Sequence, residues 1–212
     1  MLEKMKLGKK ILVTVGVLLV LLVVVGWIGI SNIQKIAVAD ELLYENMTVP
    51  IASLGTISNN FQKVRINVRD MMKAQSALER EKFGETINAL SRSILEETEK
   101  YEKTITTDAG RDVYQKFIDS RKIYRTHLDT IIADLKVGRL QEAEALVAGE
   151  AKSAAEVEEQ TLKDLVQYKI GRAKGVAEDN TGLAGSAVKL MVVFAIVAIL
   201  FGLGLTLFLY KN

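Results

Sequence analysis

The sequence predicts an all-α protein, an antiparallel up-down-up-down four-helix bundle with two flanking transmembrane helices. Three observations carry this prediction. Residues 11–30 and 190–210 are runs without a single charge. Each is about 20 residues, or about 30 Å as a helix, which matches the hydrocarbon core of a bilayer. Between the runs, apolar residues recur at helical spacing, and no strand-like alternation or hairpin dipeptide interrupts them.

The averages conceal this segregation: 49% of residues are hydrophobic and 25% charged. A net charge of +2, without a basic stripe or aromatic platform, gives no footprint for nucleic acid. The absence of cysteine rules out disulfides and Cys-based metal sites, and the single histidine, His127, rules out a His-rich one. No phosphate loop, nucleophile motif or zinc pattern is present, so neither an enzyme nor a cofactor is expected. The acidic pairs Glu96-Glu97 and Glu158-Glu159 read as solvated helix faces.

Lys4, Lys6, Lys9 and Lys10 precede the first run. Positive flanks stay in the cytoplasm, which puts the N-terminus inside. Trp27 and Tyr210 suit membrane-interface positions. The expected layout is a cytoplasmic tail (1–10), transmembrane helix 1 (11–30), a periplasmic bundle (31–187), transmembrane helix 2 (188–210) and a cytoplasmic end (211–212) in a bacterial inner membrane. Ala37-Val38-Ala39 resembles a signal-peptide cleavage site. Against cleavage stand the length of the apolar core, beyond the usual 7–15 residues, and a helical repeat that runs through those residues.

That repeat steps by three and four from Ile33 to Met71 and includes Leu43, Leu54, Phe61, Val64 and Val68. Only Asp40 and Pro50 break its apolar seam, the pattern of a helix packed in coiled-coil fashion. Pro50, the only proline, is expected to kink or loosen the helix. Ser76 to Glu79 has the form of a capping box opening a second helix, whose face includes Phe83, Ile87, Ile94 and Tyr101. Thr107 and Asp108 are N-cap candidates for a third, striped by Phe117, Tyr124, Leu128, Ile131 and Leu135 and stopped at Gly138. A short turn around Leu140–Val147 precedes the fourth, which carries Ala151, Ala155, Leu162 and Leu165 toward the second run.

Gly171, Gly175, Gly182 and Gly185 cluster before that run. They read either as a weak, flexible stalk or as a signal-transmission stalk with a built-in soft point. Arg65 and Arg69 are the foremost candidates for chemistry. Four apart, they share a helix face and present donors suited to a carboxylate. The competing reading is internal ion pairing. Matching levels between antiparallel helices sets residue 65 near 153, with Glu150 and Glu156 in reach.

The first run, the long first helix with Leu43-Tyr44, Asn46, Val49-Pro50, Arg65 and Arg69-Asp70, and the turn Gly138 followed by Glu142-Ala143 together resemble the four-helix-bundle sensor module of methyl-accepting chemotaxis proteins. The resemblance covers essentially the whole chain. It implies a homodimeric receptor that senses an amino acid, an organic acid or a periplasmic binding protein, and passes a helix shift through transmembrane helix 2. First-helix arginines commonly hold a ligand carboxylate in this family, and Arg65 and Arg69 occupy the matching region. Ser153, Glu156 and Thr161 are candidates to complete the pocket. Receptors of the family continue into a cytoplasmic part that couples to a kinase, whereas this sequence stops at Asn212. The same module serves histidine kinases and cyclic-dinucleotide enzymes, and an adaptor without a small ligand is the further alternative.

Overall fold

The computed structural model describes residues 7–211 and contains helices without strands among them. Lys4, Lys6 and the side chain of Tyr210, invoked for orientation, lie outside the described part, as does Asn212. Helix α1 (Leu7–Leu43) passes without a break into a π-helical turn, Tyr44–Thr48, and then α2 (Val49–Lys73). Helices α3 (Ala77–Glu102), α4 (Asp108–Lys136), α5 (Leu140–Ala148) and α6 (Glu150–Lys211) follow.

The π turn has a chemical cause. Pro50 lacks an N–H, and its ring collides with the carbonyl four residues back, that of Asn46. The ladder therefore widens, and the N–H of Val49 donates to the carbonyl of Tyr44, five residues away. Farther on, the helix ends follow their side chains. Ser76 accepts from the N–H of Glu79, and the Glu79 carboxylate takes the N–H of Ser76 in return. Thr107 accepts from the N–H of Gly110 at the start of α4. Gly138 stops the chain with φ of 82°, a left-handed conformation that glycine adopts without cost.

The chain separates into two compact units. One, residues 43–174, is the four-helix bundle of α2, α3, α4 and the first part of α6, with α5 as a short turn on its side. Leu54, Ile57, Phe61, Val64, Val68 and Met71 of the first-helix seam are buried in its core, together with Ile87, Ile94 and Tyr101 of α3 and Phe117, Leu128, Ile131 and Leu135 of α4. Phe61 meets Tyr124 edge to face at 5.3 Å, a favoured aromatic geometry.

The seam of α6 departs from expectation. Buried positions step through 151, 155, 158, 162, 165 and 169, and two of them are Glu158 and Lys169. Glu158, read from sequence as part of a solvated face, is 0% exposed. The steps of four and three place it on the seam that its apolar neighbours define.

The other unit pairs α1 up to Leu42 with α6 from Gly175 onward. Gly29 lies against the Met191 thioether, and the Asn180 amide donates to Asp40 at 3.2 Å. Each helix holds an apolar window of mean hydropathy 3.1 or 2.8, none of it buried within the protein. Leu12, Leu22 and Trp27 stand open to the surroundings. Two such helices are long and apolar enough to cross a membrane.

Candidate functional site

Arg65 and Arg69 project from one face of α2 into a cavity of about 150 Å³. Val68 lines it between them, Tyr124 and Ile131 come from α4, Val147 from α5, and Ala151, Lys152 and Ala155 from α6. Small residues on α6 leave the space; a larger side chain at 151 or 155 would fill it. Three cationic side chains line it and no carboxylate does.

Arg65 is held in place. Its guanidinium donates to Glu159 at 3.1 Å and to Gln62 at 3.3 Å, and lies 5.8 Å from the centre of the Phe61 ring. The expected ion-pair partners were Glu150 and Glu156, and the difference follows from helix geometry. Side chains lean toward the N-terminus of their helix, so Arg65 reaches toward residues 61 and 62. On antiparallel α6 that level corresponds to higher numbers. Glu159 also pairs with Lys163 at 2.9 Å. Its carboxyl is held below the usual range by that hydrogen bond first, with Arg65 contributing. No ion pair ties Arg69 to a carboxylate among the described residues, and its side chain is exposed. The Tyr124 hydroxyl is pushed up to about 12, mainly by burial, so it stays protonated beside the arginines.

Ser153 and Glu156 belong to a different place. With Ser120, Ile123, His127 and Gly149 they line an open groove between α4 and α6 of about 660 Å³. His127 comes within 3.9 Å of Glu150 there. Thr161 shares a hydrogen bond of 2.7 Å with Ser120 and thereby joins α6 to α4. The structure thus brings Arg65 and Arg69 together and sets Ser153, Glu156 and Thr161 apart from them. Lys152 lines both the cavity and the groove. Sequence reasoning missed Lys152 and Tyr124 as site residues. Lys152 directly follows the seam residue Ala151, a position that flanks the core.

Two charged groups of α6, Glu158 and Lys169, are buried in the bundle. Glu158 pairs with Arg121 at 3.0 Å, and Arg121 also donates to the Ser91 carbonyl of α3. The second Glu158 oxygen has no partner, and burial pushes the carboxyl up to about 7 despite the guanidinium. Near the opposite end, the Lys169 ammonium is enclosed by backbone and hydroxyl oxygens.

Among the described residues no group of three or more His, Asp or Glu side chains is placed to hold a metal ion. Residues 4–184 match the family described as a four helix bundle sensory module for signal transduction. The chain belongs to this family. No curated protein matches it. Membership in the sensory-module family fits the bundle, its two long apolar helices and a cationic cavity between helices, where bundles build their ligand sites. Gly171, Gly175, Gly182 and Gly185 all lie within the uninterrupted α6, and a Cβ at any of them would meet nothing within 4 Å.

Proposed function

We propose that this sensory module is the input part of a chemoreceptor-like transducer that binds a small extracytoplasmic carboxylate, such as an organic acid or amino acid, at Arg65, Arg69 and Lys152. The observation that supports this reading is a cavity lined by three cations and no carboxylate, in which Arg65 is paired with Glu159 and Lys152 with Glu156 while Arg69 has no ion-pair partner among the described residues. Arg65 is preorganised by Glu159, Gln62 and Phe61, and Arg69 is left available, so an arriving carboxylate meets one fixed and one free guanidinium. The volume, below the roughly 300–1,000 Å³ of drug-sized pockets, suits a compact anion.

In this reading the two apolar helices cross the bacterial inner membrane, residues 31–187 face the periplasm, and the receptor works as a homodimer. Anion binding draws α2 and α6 together. It favours one of two discrete packings, and the resulting helix shift passes toward the second span. The signal is received by a cytoplasmic partner or domain of chemoreceptor, histidine-kinase or cyclic-dinucleotide type.

The test is a thermal-shift screen of the full chain in lipid nanodiscs against small mono- and dicarboxylates and amino acids. A ligand at 100 times its dissociation constant stabilises by about 2.7 kcal/mol. Arg69→Ala abolishes that shift while leaving the ligand-free midpoint within about 0.5 kcal/mol of the parent, because Arg69 is exposed and pairs with no carboxylate. A shift that persists in Arg69→Ala refutes the site. Silence across the panel favours an adaptor, for which the open α4–α6 groove with exposed Ile123 and Val157 is the natural contact face.

A further inference from the structure

Lys169 is only 3% exposed, and no carboxylate pairs with it among the described residues. Its ammonium instead donates to the Asn46 carbonyl at 2.9 Å, the Thr104 carbonyl at 3.0 Å and the Thr104 hydroxyl at 3.1 Å. It also sits 5.1 Å from the centre of the Tyr101 ring. Three oxygens and an aromatic face make a cation site, and the lysine stem delivers the cation. The void beside it is about 10 Å³, at the lower limit for a single water, so these protein groups take over the ammonium's hydration.

The first of these acceptors matters most. Asn46 stands four residues before Pro50, so its carbonyl is the one that the proline deprives of a helical donor. Lys169 supplies the missing donor from another helix. The ammonium therefore joins the π turn ahead of α2, the connection after α3 and the bundle part of α6 through one group. Burial, and secondarily the Arg172 guanidinium, lowers the Lys169 pKa to about 8, which leaves it mostly protonated at neutral pH.

We propose that Lys169 is a positioning residue that pins α6 to the π turn created by Pro50, so that α6 cannot slide along α2 without releasing the Asn46 carbonyl. Its part in signalling rests on the transducer reading above; the clamp itself does not. Ligand-driven movement of α6 would then act on a defined catch, and the proline and the lysine form one device. A lysine in the core loses side-chain freedom and hydration, and the oxygen cradle offsets that cost only while all three elements keep their register.

The experiment uses the full chain in nanodiscs without ligand, so its outcome is independent of whether the cavity binds carboxylates. Hydrogen exchange is followed at the amides of Tyr44–Thr48, with a spin-label pair at the exposed positions Thr56 and Gln167 reporting the place of α6. Lys169→Ala accelerates exchange there by about tenfold or more, the loss expected for a charged hydrogen bond, and broadens the label distance. Added propylammonium restores both, whereas propanol does not. Lys169→Met, which keeps the stem and drops the charge, behaves like the alanine variant. In a Pro50→Ala background the N–H of residue 50 takes the Asn46 carbonyl, and loss of Lys169 changes exchange far less. Unchanged exchange in both Lys169 variants overturns the proposal. So does rescue by propanol as good as by propylammonium, or an equal effect of losing Lys169 in the two backgrounds.

Discussion

Replacing Glu158 by Gln measures what a buried carboxylate costs this bundle. Glu158 is 0% exposed, its Oε1 accepts from Arg121 at 3.0 Å, and its Oε2 has no partner. Two effects oppose each other. Arg121 favours the ionised form, and removing one member of a buried pair ordinarily costs about 3–5 kcal/mol. Loss of hydration disfavours the ionised form, and here it is the larger effect, since the carboxyl rises from 4.5 to about 7. An acid whose folded pKa exceeds its unfolded one binds more protons when folded, so stability falls as pH rises between the two values. The contribution is fully present below pH 4.5 and gone above about pH 7. At about 1.36 kcal/mol per pH unit, ionisation costs the fold on the order of 3 kcal/mol. Gln mimics the neutral acid and keeps an oxygen for Arg121. Glu158→Gln therefore matches the parent at pH 4.5 to 5 and exceeds it by about 3 kcal/mol at pH 8.5, or roughly 2–4 °C of melting temperature per kcal/mol. Thermal unfolding of the full chain in nanodiscs, followed by circular dichroism across that range, reads the gap. Infrared difference spectra of parent against variant show a protonated carboxyl band that disappears near neutral pH. A variant less stable than the parent at pH 8.5, with a gap independent of pH, would show that the Arg121 pair outweighs desolvation.

Three other substitutions test the local packing and capping. A Cβ at Gly110 would lie 3.0 Å from the Thr107 hydroxyl and 3.1 Å from Tyr168. Those two side chains hydrogen-bond to each other and cannot both retreat, so Gly110→Ala destabilises by about 1–3 kcal/mol; Gly175→Ala, which meets open space, stabilises α6 by up to about 1 kcal/mol, and thermal melts of the two variants should move in opposite directions. Ser76→Ala removes the side-chain acceptor of the capping box and costs about 1 kcal/mol, read by denaturant midpoint at unchanged slope.

The bundle was legible because its determinants are local. Helix stops and starts at Ser76, Thr107 and Gly138 are written in single residues, and the core of α2 follows a repeat that survives any error in placing its ends. The first-helix arginines were legible as a pair for the same reason, since four residues always separate neighbours on one face. What could not be read was partnership across helices. Level-matching from the helix ends brought residue 65 opposite residue 153, near enough for the cavity wall at Ala151 and Lys152. It took no account of side-chain lean, which carries Arg65 to Glu159. Nor did it resolve which side of α6 faces α2, and so it gathered Ser153 and Glu156 with the arginines although they line the α4 side.

The polar seam residues follow a sharper logic. A period of three and four marks positions, not residue types, and α6 places Glu158 and Lys169 at two of its marks. Composition assigns such residues to water, while position assigns them to the core. Position prevails because each meets a partner that its own helix cannot supply. Arg121 bridges Glu158 to α3, and the Asn46 carbonyl lacks a helical donor because of a proline distant in sequence. A charged residue on an apolar repeat therefore carries information about the rest of the fold. Here it points to two buried places where α6 is bound to its neighbours by specific polar contacts as well as by packing, and these are among the contacts that any displacement of α6 has to break or carry along.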